Sequence, residues 1–262
     1  IKVMTIGKII DALEGFAPLP LQDDFDNSGL QVGLTETEAT GALLCLDVTE
    51  AVVDEAIANG CNLIISHHPL LFSPLKRISN SNYIGRCVIK AIKHDITIYA
   101  AHTNLDNASC GVNKQIANLL KLKETAPLQD KGNGNGAGII GYLPECLTEK
   151  QLLEALQTLF KVPAIKHNGN LGKPISKVAL CGGSGAFLIP DAIACKADAF
   201  ITGEIGFHKM FGYDGIIKLI ELGHYESEQF TVDLLYNKLN KEFSELKLVK
   251  TNVKTNPINY CI

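Results

Sequence analysis

Two adjacent histidines, His67 and His68, follow the apolar run LIIS and precede Pro69. If LIIS is a strand of a parallel sheet, both imidazoles stand outside its carboxyl end, where α/β sheets bind ligands. Neighbouring side chains on extended backbone point to opposite sides, and Pro69 biases His68 toward extended geometry. The pair therefore chelates a single ion poorly, whereas two neighbouring metals would use both rings. Taken alone, the dipeptide reads equally as one part-buried and one surface histidine. His102 with Asp106, in AHTNLD after the run ITIYA, repeats the chemistry with a carboxylate four residues on. So does His224 with Glu228, in LGHYESEQF ahead of the amphipathic run FTVDLLYNKL. If a helix begins near His224, positions 224 and 228 share a face one turn apart. Individually these are a turn-capping aspartate and an ordinary helix-face pair. Together, three imidazole and carboxylate elements at the ends of apolar strands point to a metal site.

His67, His68, Asp106, His224 and Glu228, with His102 as a sixth candidate, exceed the four donors of a closed structural zinc site. They suit two metals roughly 3.5 to 4 Å apart bridged by a carboxylate, for which Glu228 is the candidate. Nitrogen and oxygen donors without cysteine favour two divalent ions drawn from Zn, Fe, Mn or Co. His102 and Glu204 are the candidate proton shuttles of such a site. Glu204, in ITGEIGFH, also reads as an outer-shell carboxylate or a surface residue at a helix start. His208 reads as a helix residue near the site mouth, and His94 and His167 as surface residues. The turn CGGSG at 181 to 185 lacks the G-x-G-x-x-G pattern and a Walker lysine. It is either an anion cradle or a tight turn that lets the backbone pass close to the site.

The elements that would position these groups follow from the apolar pattern. Ile6, Ile9, Ile10, Leu13 and Phe16 fall at helical spacing over residues 5 to 16, with Thr5 as N-cap. ALLCLDV (42 to 48), CNLIIS (61 to 66) and DITIYAA (95 to 101) read as buried strands. Helices at 49 to 60, near 82 to 94 and near 111 to 121 alternate with them. GIIGYLP, the capped helix TEKQLLEALQTLF and KVALCGG (177 to 183) continue the alternation. Continuous apolar strands joined by helices mean an α/β fold with mostly parallel sheets covered on both faces. AIANGCNLIISHH (56 to 68) and AIACKADAFITGE (192 to 204) look like copies of one unit, as do AHTNLD and GHYESE. The Gly and Asn-rich stretch DKGNGNGAG marks the join. The expected organisation is a first α/β half at 1 to 129, a flexible connection at 130 to 138 and a second α/β half at 139 to 262.

Composition narrows the class. In 262 residues, 46% are hydrophobic and only 20% charged, against roughly 25% charged in an average soluble protein, so buried contacts between subunits are expected. The net charge of −4, without any long run of like charge, disfavours nucleic-acid binding by counterion release, although a small local basic groove stays open. The eight cysteines are scattered without a C-x-x-C and read as reduced buried thiols. Lys8, Asp11 and Glu14 interrupt the N-terminal segment, so neither a signal peptide nor a membrane span is expected, and a cytoplasmic location follows. Because the first residue is Ile1, an initiator or short tag is expected to precede it.

DNSGLQVG (26 to 33), SHHPLLF (66 to 72), HTNLD (102 to 106), GGSG (182 to 185), ADAFITGE (197 to 204) and GHYESE (223 to 228) occur in this order. The ordered set resembles the Nif-three-like dinuclear-metal family, also known as GTP cyclohydrolase I type 2 homologues. The resemblance implies that His67, His68, Asp106, His224 and Glu228 hold two metal ions between two related α/β halves. It also implies a ring-shaped homohexamer whose sites face an internal cavity. Longer members carry an inserted domain between the halves, where this chain has only the GNGNG region. Two functions follow as expectations. The first is a metal-dependent hydrolase using a metal-bridging hydroxide on a nucleotide-like or phosphoester substrate. The second is a metal-stabilised oligomeric scaffold or regulatory binding protein without turnover.

Overall fold

The structure is a computed structural model, and it describes residues 4–261. In chain order its strands are β1 (Gly29–Val32), β2 (Ala42–Cys45), β3 (Leu63–Ser66), β4 (Thr97–Ala100), β5 (Lys123–Gly132), β6 (Asn135–Leu147), β7 (Lys166–His167), β8 (Ile175–Cys181), β9 (Ala199–Thr202), β10 (Lys218–Glu221) and β11 (Leu248–Lys250). Its α-helices are α1 (Ile6–Phe16), α2 (Glu50–Ala58), α3 (Tyr83–Lys93), α4 (Thr103–Asp106), α5 (Val112–Leu119), α6 (Glu149–Phe160), α7 (Ile189–Ala194), α8 (His224–Glu228) and α9 (Thr231–Glu242). The chain divides into two compact units. One comprises Ile1–Leu105 with Thr231–Pro257, and the other Asp106–Phe230 with Ile258–Ile262.

The first unit holds a five-stranded sheet in the order β1-β4-β3-β2-β11. β11, β2, β3 and β4 run parallel, and β1 closes one edge antiparallel to β4. Every residue of β2, β3 and β4 is buried, as a sheet covered on both faces requires. On one face Leu43, Cys45, Ile64 and Ile98 share a core with Val52, Val53 and Ala56 of α2 and Cys87, Val88 and Ala91 of α3. The helix starts are chemically marked: Thr49 accepts the N–H of Val52, and Asn82 accepts that of Gly85. Thr5 occupies the cap position of α1 in extended geometry, but its side chain makes no capping bond.

The second unit holds a six-stranded sheet in the order β5-β6-β8-β9-β10-β7. Here β8, β9 and β10 are parallel, while β5 with β6, β6 with β8 and β10 with β7 pair antiparallel. The expected mostly parallel arrangement therefore describes the first sheet and only the middle of the second. The difference arises at the stretch expected to be a flexible connection. Residues 130 to 138 form the tip of the β5–β6 hairpin, where Asn133 (φ 55°) and Gly134 (φ 76°) supply the two left-handed residues of a tight hairpin turn. A hairpin forces its strands antiparallel and sends β6 back along β8. The chain instead leaves the first unit between Leu105 and Asp106 and returns to it at Thr231. The last strand, which sequence assigns to the second half, pairs with β2 because Leu248, Val249 and Lys250 lie in register with Ala42, Leu43 and Leu44.

Cys45, Cys61, Cys87 and Cys181 are buried, whereas Cys110, Cys146 and Cys261 are exposed. Burial, reinforced by Glu50, raises the Cys87 thiol to about 11, and burial raises Cys45 well above its ordinary value, so both stay protonated and inert.

Candidate functional site

In the first sheet Cys45, Ser66 and Ala100, the last residues of β2, β3 and β4, lie in one row of the parallel register. Two residues beyond that row stand Asp47, His68 and His102, and one residue beyond it on the middle strand stands His67. The ladder continues past the strand ends: His67 N–H donates to the Cys45 carbonyl at 3.1 Å, His68 N–H to Leu46 at 2.9 Å and Ala101 N–H to Ser66 at 2.9 Å. The Ser66 hydroxyl adds a bond to the His68 carbonyl at 2.8 Å. Parallel register thus fixes the level from which each side chain departs.

His67, His68 and His102 meet. Their ring centroids are 4.8 to 5.4 Å apart, and one nitrogen from each lies within 4.8 Å of those of the other two, close enough for the group to hold a metal ion. Each ring is oriented through Nδ1. His67, fully buried, donates from Nδ1 to the Ala101 carbonyl at 2.8 Å. A carbonyl only accepts, so Nδ1 carries the proton and Nε2 is the basic nitrogen. His68 Nδ1 contacts Asp47 Oδ1 at 2.8 Å, and His102 Nδ1 contacts Asp26 Oδ1 at 2.7 Å. An oxygen partner on the far ring nitrogen is the arrangement that fixes tautomer and aim in metal-binding histidines and raises their basicity.

Both carboxylates are built for this work. Asp26 Oδ2 accepts the Ser28 hydroxyl at 2.5 Å, the Thr103 hydroxyl at 2.5 Å and the Thr103 N–H at 3.0 Å. Burial alone would raise its pKa. The hydrogen bond and charge of His102, with the Ser28 and Thr103 bonds, outweigh burial and hold the carboxyl well below the usual range. For Asp47 burial is again opposed by the bond and charge of His68, now with help from the Thr255 hydroxyl, and the net shift is downward. Neither aspartate stood among the candidate residues of the sequence. Asp47 was recoverable from the rule that ligands gather beyond strand ends, since it follows Cys45 as His68 follows Ser66. Asp26 opens the DNSGLQVG motif, but nothing local points it to a histidine, because its loop meets His102 and Thr103 only through the fold.

The second unit carries the other donors. His224 is the first residue of α8, and its Nε2 lies 3.2 Å from Oε2 of Glu228, the contact between positions four apart that the sequence implied. Its Nδ1 lies 3.2 Å from Glu204 Oε1, so Glu204, just beyond β9, serves His224 as Asp26 serves His102. The Glu228 side chain is only 3% exposed, against 55% for Glu204, so Glu228 is buried and Glu204 open to solvent. The glycine turn is a close-approach device. At Gly183 (φ 63°) a β-carbon would stand 2.2 Å from Glu228 Oε1, and at Gly203 one would meet the Gly183 carbonyl at 2.6 Å. Ser227 braces the arrangement, accepting the Gly183 N–H at 3.0 Å and donating to the His224 carbonyl at 2.9 Å. Asp106 ends α4, and Asn113 joins its carbonyl, at 3.1 Å, to the N–H of Gly182, at 2.9 Å. His94, His167 and His208 are exposed, and the last lies in a short 3-10 turn rather than an α-helix.

The donor chemistry of both sets fits divalent metal: imidazole nitrogens with their far sides fixed, and a buried carboxylate beside a fourth imidazole. Among the described residues no helix is long and apolar enough to cross a membrane.

The chain is 33% identical over 240 residues to a GTP cyclohydrolase 1 type 2 homolog of Clostridium acetobutylicum, covering 90% of both chains. It is 34% identical over 268 residues to one of Streptococcus pneumoniae, covering 98% of this chain and all of the other. Among solved structures it resembles a hypothetical protein of Staphylococcus aureus, at TM-score 0.92 and 27% identity over 99% of this chain and 100% of that one. A Bacillus cereus protein related to NIF3 matches at TM-score 0.88 and 26% identity over the full length of both. The family pattern described as Duf34/NIF3 (NGG1p interacting factor 3) matches residues 4–257, and the chain belongs to that family.

Proposed function

We propose that this protein is a metal-dependent hydrolase in which His67, His68, Asp106, His224 and Glu228 hold two divalent ions of the Zn, Fe, Mn or Co class. One observation carries the reading: three imidazoles at the ends of adjacent strands, each tied at Nδ1 to a separate oxygen, converge to within 4.8 Å. A part-buried histidine cluster serving only to pack would not need a dedicated acceptor behind each ring. Two ions bound by such donors would lower the pKa of water toward neutrality and polarise the electrophile.

The protein's own groups then handle protons and orientation. His102, held by Asp26, takes a proton at Nε2, and its resulting charge is stabilised by the carboxylate behind it. Glu204, half-exposed and in contact with His224, passes a proton between the site and solvent. Buried Glu228, confined by Gly183, keeps its carboxylate on the site side of α8. The names of the related proteins support a nucleotide-like substrate, and a phosphoester would use the same groups. A homohexamer in the cytoplasm is part of the same reading.

The test joins metal content to turnover. Elemental analysis of the purified protein is expected to give two ions per chain, falling to one or none in His68→Ala and Glu228→Gln. The same preparations should hydrolyse a member of a nucleotide, phosphoester and amide panel only when loaded. Full metal content in both variants would overturn the ligand set, and loaded protein that turns over nothing in the panel would overturn the hydrolase.

A further inference from the structure

Beside the imidazole cluster the first unit exposes two large aromatic rings. Phe25 and Phe72 have centroids 6.3 Å apart at an interplanar angle of 51°, and Phe72 stands edge-on to His102 at 6.1 Å and 77°. Phe25 is 65% exposed and Phe72 48% exposed, so their outer faces are open although one rim of the pair is seated on His102. The backbone under both rings is pinned. Asn27 Nδ2 donates to the Leu71 carbonyl at 2.6 Å, and the Leu71 N–H donates to Gln31 Oε1 at 3.1 Å. Residue 26, next to Phe25, is the aspartate held by His102, Ser28 and Thr103.

Scattered exposed apolar side chains need no explanation, but two adjoining rings fixed at the rim of a polar cluster make a wall of the kind that small-molecule sites use. Phenyl rings lose little rotamer freedom on binding and offer a face to any planar π-system, whatever its hydrogen-bonding edge. Because Phe72 stands against His102 at 6.1 Å, a ring stacked on the open face of Phe72 lies beside the imidazole cluster. We propose that Phe25 and Phe72 form a stacking platform for the planar heterocycle of the substrate, which selects nucleotide-like molecules over phosphoesters lacking a ring. This inference rests on the reading of the imidazole cluster as a hydrolytic site, and it assigns specificity to two residues that neither bind metal nor move protons.

The chain contains no tryptophan, so Phe25→Trp places a single indole emitter at the platform of this chain. GMP and AMP are expected to quench its emission saturably, while ribose 5-phosphate leaves it unchanged. Adding Phe72→Ala should weaken nucleotide binding about tenfold. Non-saturating quenching, or an affinity indifferent to Phe72→Ala, would overturn the platform. Blue-shifted emission that moves to the red on dilution, together with a falling mass, would also overturn it by showing the rings covered by a second copy. Metal content is read on the same samples. A Phe25→Trp protein that keeps its ions but shows no quenching defeats the platform alone, and quenching in a protein that never retains metal defeats the hydrolase alone.

Discussion

The hydroxyl of Thr255 donates to Oδ2 of Asp47 at 3.0 Å, joining residues 208 positions apart in the chain. Asp47 in turn holds His68, so the C-terminal segment of the first unit supports an imidazole of the candidate site. Just before it, the Thr251 hydroxyl, Asn252 N–H and Asn252 Nδ2 all donate to the Glu55 carboxylate of α2, which fastens the segment in place.

Replacing Thr255 by valine keeps the shape and deletes the donor. The expected loss of stability is modest, about 1 kcal/mol. Metal affinity should fall by about tenfold, since an outer partner of a ligating histidine controls its aim. Isothermal titration with Zn or Mn checks it, and serine at the same position should restore the wild-type value.

Gly183→Ala is expected to be far more damaging than its single methyl suggests. A non-glycine residue in the left-handed region costs about 1 to 2 kcal/mol, and here the new carbon would also displace the Glu228 carboxylate. The variant should fold with a lowered Tm and bind metal poorly. Retention of full metal content would show that Glu228 tolerates the displacement.

Asp198 gives a pH test away from the donors. It accepts the N–H groups of Ser176 at 3.0 Å and Lys177 at 2.9 Å and the Lys173 ammonium at 2.6 Å. Burial opposes ionisation, but these bonds and the Lys173 charge win, and the pKa is lowered. The group thus adds stability that is fully present above its unfolded pKa, about 3.9, and is lost as pH falls through the lower folded value. Asp198→Asn should cost about 1.5 to 3 kcal/mol at neutral pH. The difference from wild type should shrink toward zero in acid, as followed by urea unfolding across pH 7 to 2.5 (about one pH unit per step).

Lys218, 1% exposed on β10, donates to the carbonyls of Asn168 at 3.0 Å and Gly169 at 3.1 Å and faces Glu149 Oε2 at 2.8 Å. Glu149 also accepts the N–H groups of Leu171 and Gly172. Lys218→Met strands these acceptors and is expected to cost about 3 to 5 kcal/mol. Chemical denaturation measures it. The double variant Lys218→Met with Glu149→Gln should lose less than the sum of the two single changes, because they share one network.

The site and fold were legible in the sequence to different depths. Helices with caps and strands of unbroken apolar residues were readable because local chemistry specifies them: Thr148 with Gln151 forms the full capping box that starts α6. The His224 and Glu228 pair was readable because a spacing of four is a property of the helix, and their contact follows from it. Asp26 was not, because only tertiary packing brings it to His102 across 76 positions. The Gly and Asn-rich stretch misled because the residues that make a linker flexible are also those that a tight hairpin turn requires.

The return of the chain to its first sheet has a consequence for synthesis. The β11 edge of β2 stays unpaired until residue 250 has been made, whereas almost all of the second unit is one continuous stretch, Asp106–Phe230, completed earlier. On the ribosome the nested unit can therefore fold while the unit that surrounds it in sequence still waits for its closing strand. For that interval β2 offers an open parallel edge to any neighbouring nascent chain. A truncation that removes the last twelve residues leaves β11 just in place, and one that removes the last fifteen takes β11 away and makes the exposed edge permanent.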